Sequence, residues 1–241
     1  MTPTEPSPGL AINVATPTLK LGDFKLIAFD MDSTLINIEC VDEIADAAGR
    51  KSEVAAITEA AMRGEIADYK DSLRRRVALL EGVSVASMDG VYRERLKLNP
   101  GAAELVHACK AAGLKTLLVS GGFTFFTDRI RDELGIDYTR SNVLETQDGK
   151  LTGKMVDQPW GDICDGDEKR KMLLETCAQL GINPLQAIAM GDGANDLPMM
   201  GVVGLSVAYH AKPNVRDQAM VAINSGGLDR LLELMQETPE D

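Results

Sequence analysis

At 241 residues the chain can bury a sizeable core, as one domain or as a main domain carrying an insertion. A formal charge of −12 excludes duplex nucleic acid and anionic membrane surfaces as natural partners, and 4% aromatic residues leave little for base stacking. Two histidines and four scattered cysteines without a C-x-x-C pair argue against a zinc site, a histidine-based triad or a disulfide framework, and for a reduced, cytoplasmic protein.

No apolar run approaches the roughly 18–20 residues that cross a bilayer. Residues 1–22 are rich in Pro and Thr and lack the basic region and apolar block of a secretory signal, so they read as a flexible arm. The first strand is predicted over Lys25–Asp30. Its apolar run ends abruptly in Asp30-Met31-Asp32-Ser33-Thr34, as a buried parallel strand does at its carboxyl end, where open α/β sheets bind ligands. Strand positions two apart share a side, so Asp30 and Asp32 are expected to face one crevice. Two carboxylates that close need a cation or a shared proton, and a hard divalent ion, Mg²⁺ above all, suits oxygen ligands. The plain alternative is an acidic strand end followed by a Ser/Thr helix cap.

From 37 to 98 the pattern turns helical. Val41, Ile44 and Ala45 make one apolar stripe, Val54, Ile57 and Ala61 another, and Leu73, Val77 and Leu80 a third. The stretch is too long for a single crossover and is read as an inserted helical cap. Within it lies Arg74-Arg75-Arg76, and residue physics does not choose among the three. An amphipathic segment near Gly101–Ala112 leads to a second strand, Lys115–Ser120. That strand runs into Ser120-Gly121-Gly122-Phe123, with a helix (Phe123–Leu134) opening at once. Helix N-termini present unpaired N–H groups, and glycines let an anion approach, so the loop suits phosphate. It also reads as an ordinary strand-to-helix turn.

Asp148-Gly149 between short alternating runs predicts a type I′ hairpin insertion at about 141–156. A third amphipathic segment, Glu168–Leu180, opens with Lys169, which alone reads equally well as a solvated lysine. The strand Ala187–Gly191 delivers Asp192-Gly193-Ala194-Asn195-Asp196. Asp192 could join Asp30 around a metal, with Asp196 hydrogen-bonding behind to orient the ligands; an Asn/Asp/Gly turn is the alternative. Further strands are predicted at Val202–Ala208 and Ala219–Ile223, and 237–241 reads as a frayed tail. The expected fold is α/β: a doubly wound, Rossmann-like parallel sheet. Its core spans 23–36 and 99–236, the helical cap 37–98 following the first strand.

A carboxylate pair, a hydroxyl-glycine loop, a lysine and an acidic loop thus follow one another at strand–helix boundaries. With them the chain resembles the haloacid dehalogenase superfamily, and within it closely the phosphoserine phosphatases, from about Lys25 to Leu232. The most specific portions are D-M-D-S-T at Asp30–Thr34, V-D-E-I-A at Val41–Ala45, S-L-R-R-R-V at Ser72–Val77, S-G-G-F at Ser120–Phe123 and G-D-G-A-N-D at Gly191–Asp196. Ala211-Lys212-Pro213 adds a further similarity.

The resemblance implies a Mg²⁺-dependent phosphomonoesterase that hydrolyses O-phospho-L-serine through an aspartyl-phosphate, the last step of serine biosynthesis. By that resemblance Asp30 is the nucleophile and Asp32 the general acid and base. Mg²⁺ is held by the Asp30 carboxylate, the Asp32 backbone carbonyl and the Asp192 carboxylate. Ser120, the Gly121 N–H and Lys169 take the phosphoryl oxygens, and Asn195 lies in the substrate site. Glu39 matches the acid for the substrate ammonium, Arg76 the arginine for its carboxylate, and Met62 and Tyr69 the positions that shield it.

One extra residue near Ala67–Asp68 departs from the pattern, and a tyrosine stands where it has phenylalanine. About twenty-four residues precede the first strand, fewer than the amino-terminal regulatory domain of some relatives, so feedback through such a module is expected to be absent. The partner implied is a small molecule, phosphoserine; no oligomeric state is indicated. The other readings are a phosphotransferase passing the phosphoryl group to an alcohol such as homoserine, a phosphatase for another small phosphomonoester, and a phosphate-sensing module without turnover.

Overall fold

The computed structural model describes residues 4–14, 19–62, 65, 66 and 68–236, apart from the side chains of Met62 and Gln236. The chain opens with β1 (Thr4–Ser7), β2 (Leu10–Ile12) and β3 (Leu19–Lys20) and enters β4 (Leu26–Phe29). Next come the helices α1 (Cys40–Ala47), α2 (Lys51–Met62), α3 (Tyr69–Ala78) and α4 (Val85–Glu94). After α5 (Ala102–Ala111), β5 (Lys115–Phe123) and α6 (Thr124–Leu134), the strands β6 (Tyr138–Gln147) and β7 (Lys150–Val156) form a hairpin. The rest alternates: α7 (Gly166–Leu180), β8 (Ala187–Gly191), α8 (Leu197–Met200), β9 (Leu205–Tyr209), α9 (Pro213–Arg216), β10 (Val221–Ile223) and β11 (Met235–Gln236).

Among the described residues the main sheet has nine strands in the order β1-β2-β10-β9-β8-β4-β5-β6-β7. Every pairing from β10 to β6 is parallel. β4 lies inside the sheet between β8 and β5, and its four residues are all buried because both faces are covered. Alternation along the strand sends Ile27 and Phe29 to one layer, with Leu105 and Cys109 of α5 and Phe126 and Ile130 of α6. Leu26 and Ala28 go to the other, with Leu173 and Cys177 of α7 and Met199 of α8. The expected doubly wound α/β sheet is the fold that forms.

The apolar faces of α1, α3 and α4 run on into the α5–α6 side of this core, through Ile44, Leu73, Val77 and Met88. Two linkers join these helices to the sheet, and they are clasped together. Asn37 N–H donates to Lys97 O (3.0 Å) and Asn37 Oδ1 accepts from Lys97 N–H (2.7 Å). Asn99 Nδ2 donates to the carbonyls of Thr34 (2.8 Å) and Ile36 (2.9 Å). A second attachment lies between α3 and α4, where Gly82 N–H donates to Leu151 O and Leu151 N–H to Val83 O, both at 2.8 Å. The β6–β7 hairpin is therefore hydrogen-bonded to the helices at this point, while β6 itself begins as a strand of the main sheet paired with β5.

Residues 4–12 correct the expectation of a flexible arm. β2 adds antiparallel to β10, pairing Leu10 with Ile223 and Ile12 with Val221. Leu10 is fully buried, and Asn13 Nδ2 donates to the carbonyls of Arg216 (2.9 Å) and Ala219 (2.8 Å). The Pro and Thr content hid a short apolar run, Leu10-Ala11-Ile12, that covers an otherwise open sheet edge. The tail at 237–241 lies outside the described residues. Among the described residues no helix is long and apolar enough to cross a membrane.

This packing has a measurable consequence. Leu10→Ala should lower stability by about 2–5 kcal/mol in urea denaturation, the ordinary cost of emptying a buried leucine site. A change below about 0.5 kcal/mol, the usual range for exposed sites, would contradict the packing of β2.

Candidate active site

β8, β4 and β5 are parallel neighbours, so their carboxyl ends lie along one edge of the sheet. Asp30 follows β4 directly, Asp192 follows β8, and Ser120 lies near the end of β5. All three line one cavity of about 420 Å³, together with Asp32, Glu39 and Arg76 from the segment between β4 and β5. This volume suits a small molecule.

Lys169, fully buried one turn into α7 and not itself among the lining residues, lies behind Asp30, 2.7 Å from Asp30 Oδ1 and 2.7 Å from Asp196 Oδ1. Burial opposes its charge, yet the Asp196 and Asp30 carboxylates outweigh it and hold the ammonium well above the ordinary lysine pKa. Asp30 Oδ1 also accepts from Met31 N–H at 2.7 Å. Both contacts fall on Oδ1, which leaves Oδ2 for chemistry. Asp196 Oδ2 accepts from the N–H groups of Asp192 (3.1 Å) and Gly193 (3.0 Å), and so shapes the loop that carries Asp192. The loop requires Gly191, because a Cβ there would stand 2.4 Å from the Asp196 carboxyl carbon. Asn195 also lines the cavity.

The turn after β4 places the second acid. Ser33 takes a left-handed φ of 56°, uncommon for a residue with a side chain. Its hydroxyl donates to Glu39 Oε1 at 2.6 Å. Thr34 Oγ1 donates to Asp192 Oδ1 at 3.3 Å. Asp32 Oδ2 accepts from Cys40 N–H at 3.2 Å, whereas its Oδ1 is buried without a partner among the described residues. Burial, reinforced by the charge of Glu39, raises Asp32 to about 7. Asp192 is likewise raised to about 7 by burial and then by Asp196, and burial raises Glu39. Asp30 is pushed up by burial and by Asp196, against the pull of Lys169.

The Ser-Gly-Gly segment differs from its sequence reading. Strand β5 continues through both glycines to Phe123, with an irregularity in its pairing to β6 between Val119 and Phe123, and α6 begins only at Thr124. The cause is the pairing of Phe123 with Asn142, which keeps the segment in the sheet. Asn142 also holds the bulge, donating from Nδ2 to Gly121 O (2.8 Å) while its Oδ1 accepts from Cys164 N–H (2.8 Å). Ser120 Oγ accepts from Gly122 N–H at 2.9 Å. A Cβ on Gly121 would stand 2.1 Å from the Tyr69 hydroxyl, so glycine is what lets Tyr69 close over the loop.

Helix α3 settles which arginine faces the cavity. Asp68 caps it, accepting from the N–H groups of Lys70 and Asp71. Tyr69, Leu73 and Arg76 then follow at i, i+4 and i+7 and line the cavity on one face. Arg74 instead pairs with Asp162 at 2.5 Å and Arg75 with Asp71 at 2.8 Å. Arg76 Nε is buried without a partner among the described residues. Met62 closes α2, and its side chain lies outside those described.

Sequence reasoning missed Ser33, Thr34, Asn142 and Asp42 as residues of this site. Asp42 lines the cavity from the first turn of α1, with a buried Oδ1 that has no partner among the described residues. Its spacing of three from Glu39 on a helix start was the available signal. Asn142 had none, because its place depends on long-range strand pairing.

The acids could hold a cation. One carboxylate oxygen each of Asp30, Asp192 and Asp196 lie within 4.8 Å of one another. Both oxygens of Asp196 are already engaged, which leaves Asp30 and Asp192 as the open donors. Carboxylates destabilised by burial and mutual repulsion, presenting only oxygen, fit a hard divalent ion.

Against this geometry, the family model of haloacid dehalogenase-like hydrolases matches residues 27–201. A phosphoserine phosphatase of Polaromonas sp. is 86% identical over 236 residues, covering 98% of this chain and 100% of the relative. One from Albidiferax ferrireducens is 75% identical with the same coverage. A solved phosphoserine phosphatase, described as a phospho-aspartyl intermediate analogue, superposes with a TM-score of 0.80 at 37% identity, covering 88% of this chain and 99% of that one. A substrate-bound phosphoserine phosphatase complex gives the same values. The chain is an enzyme of the haloacid dehalogenase-like hydrolase family, and its near relatives there are phosphoserine phosphatases.

Proposed function

We propose that this enzyme hydrolyses O-phospho-L-serine to L-serine and phosphate through a phosphorylated Asp30, with Mg²⁺ as cofactor. The observation that carries the reading is the free oxygen of Asp30, fixed by Lys169, in a cavity that Glu39 and Arg76 also line. End-to-end similarity to enzymes named phosphoserine phosphatase supports the choice of substrate.

Asp30 Oδ2 attacks phosphorus as the bond to the serine oxygen breaks, and Asp32 gives that oxygen a proton. Water then attacks phosphorus, Asp32 takes its proton, and the Asp30 carboxylate is released. Ser120, the Gly121 N–H and Lys169 hold the phosphoryl oxygens. Asn195 lies beside them, and Asp196 keeps Lys169 and the Asp192 loop in place. Mg²⁺, held by the Asp30 and Asp192 carboxylates and the Asp32 carbonyl, would neutralise charge on the transferring group. Glu39 takes the substrate ammonium and Arg76 its carboxylate, a planar fork matched to two oxygens. Tyr69 and Met62 shield the substrate. In this reading the helices α1–α4 are a substrate-selecting cap on a core formed by 23–36 and 99–236. The four cysteines are buried and free, which suits a reducing compartment, and we place the enzyme in the cytoplasm at the close of serine biosynthesis.

Three outcomes test this assignment. Asp30→Asn should lower kcat for phosphoserine by about 10³-fold or more while its thermal melt stays cooperative; wild-type rates would remove Asp30 from the mechanism. Arg76→Ala should raise KM for phosphoserine by about 10–100-fold, with a much smaller change for a phosphate ester lacking a carboxylate. Equal losses on both would assign Arg76 to the phosphate or to the fold. Chelation with EDTA should abolish phosphate release and added Mg²⁺ restore it, with added homoserine neither accelerating turnover nor becoming phosphorylated. Full activity in EDTA, or phosphohomoserine as product, would overturn the cofactor or the acceptor respectively.

A further inference from the structure

Two of the three Lys169 donors face Asp30 and Asp196, and the cations that line the cavity wall itself are Arg76 and Lys212. Facing them are the acids Asp30, Asp32, Glu39, Asp42 and Asp192. Neither cation forms an ion pair among the described residues. Lys212 belongs to the Ala211-Lys212-Pro213 motif, to which the mechanism above gives no role.

The loop that carries Lys212 leaves the carboxyl end of β9, at the same sheet edge as Asp192. Its backbone is fixed on both sides. His210 takes a φ of 44°, stacks on Tyr209 with ring centroids 4.2 Å apart, and sets its Nε2 3.0 Å from Gly226 O. After Lys212, the N–H groups of Val215 and Arg216 both donate to its carbonyl at 3.0 Å. The result is an exposed, unpaired ammonium on an anchored base, at the rim of the cavity.

We propose that Lys212 is a specificity-determining residue that, together with Arg76, receives the carboxylate of an amino-acid phosphoester whose ammonium lies on Glu39. The inference rests on the phosphoserine reading. An α-amino acid carries both charges on one carbon, so a site that selects it needs an anion flanked by cations. Glu39 feels both Arg76 and Lys212 as stabilising charges that offset its burial. In a chain of net charge −12, a rim cation also counters the field that an incoming dianion meets.

The test compares phosphoserine with O-phosphoethanolamine, which keeps the phosphate and the amine but lacks the carboxylate, using Lys212→Gln and Lys212→Arg enzymes with Mg²⁺. Lys212→Gln should raise KM for phosphoserine by about 3–10-fold, as for an exposed charged contact, with kcat unchanged. KM for phosphoethanolamine should hold within about 2-fold, and Lys212→Arg should recover most of the loss on phosphoserine. Equal losses on both esters would reassign Lys212 to general attraction of phosphate and overturn the proposal, as would an unchanged KM for phosphoserine. If the unaltered enzyme does not hydrolyse phosphoserine, the functional reading fails as well. Intact turnover with an indifferent Lys212→Gln variant defeats the inference about Lys212 alone.

Discussion

The buried lysine between two aspartates is the constraint on which the rest of the site depends. Lys169 is fully buried and cannot meet water, so its charge persists only through Asp30 and Asp196, each 2.7 Å away. The dependence is mutual. Asp30 is raised by burial and by its acidic neighbours, and Lys169 is the strongest influence pulling it back. Removing one partner of such a set leaves an uncompensated buried charge, a cost of about 3–5 kcal/mol. The same contacts tie together the end of β4, the first turns of α7 and the loop after β8, so electrostatics and sheet topology fix one geometry.

Around this set, helix faces decide which side chains line the cavity. The helix start set by Asp68 directs Tyr69, Leu73 and Arg76 inward, while Lys70 and Arg74 reach outward to Asp162 at 2.7 and 2.5 Å. Those outward pairs are partly exposed and each contributes little stability. Their effect is orientational: they fix the rotation of α3, and therefore which arginine enters the cavity. The asparagine clasp at 37 and 99 and the backbone bonds between Gly82–Val83 and Leu151 hold the helices to the core at two separate places.

Much of this was legible in the sequence because parallel strands are buried on both faces and end sharply. Asp30, Ser120 and Asp192 could be located as strand-end residues, and parallel strands bring such ends to a common edge. What stayed hidden depends on side-chain direction or distant pairing. Three consecutive arginines look alike until the helix rotation is known, and only the cap and the partners of Arg74 and Arg75 distinguish Arg76. The glycines of Ser120–Gly122 read as a helix start because the pairing of Phe123 with Asn142 is invisible locally. Composition alone does not reveal the ordered part of the amino-terminal arm, since a three-residue apolar run carries little weight until an open sheet edge is there to receive it.

The most direct test is to quench the enzyme in acid during turnover of phosphoserine labelled in its phosphate and to map the labelled peptide. The proposed chemistry requires acid-stable, base-labile label on the peptide containing Asp30, lost when unlabelled substrate is chased in before the quench. Turnover with no label on the protein, or with label on a peptide lacking Asp30, would contradict it.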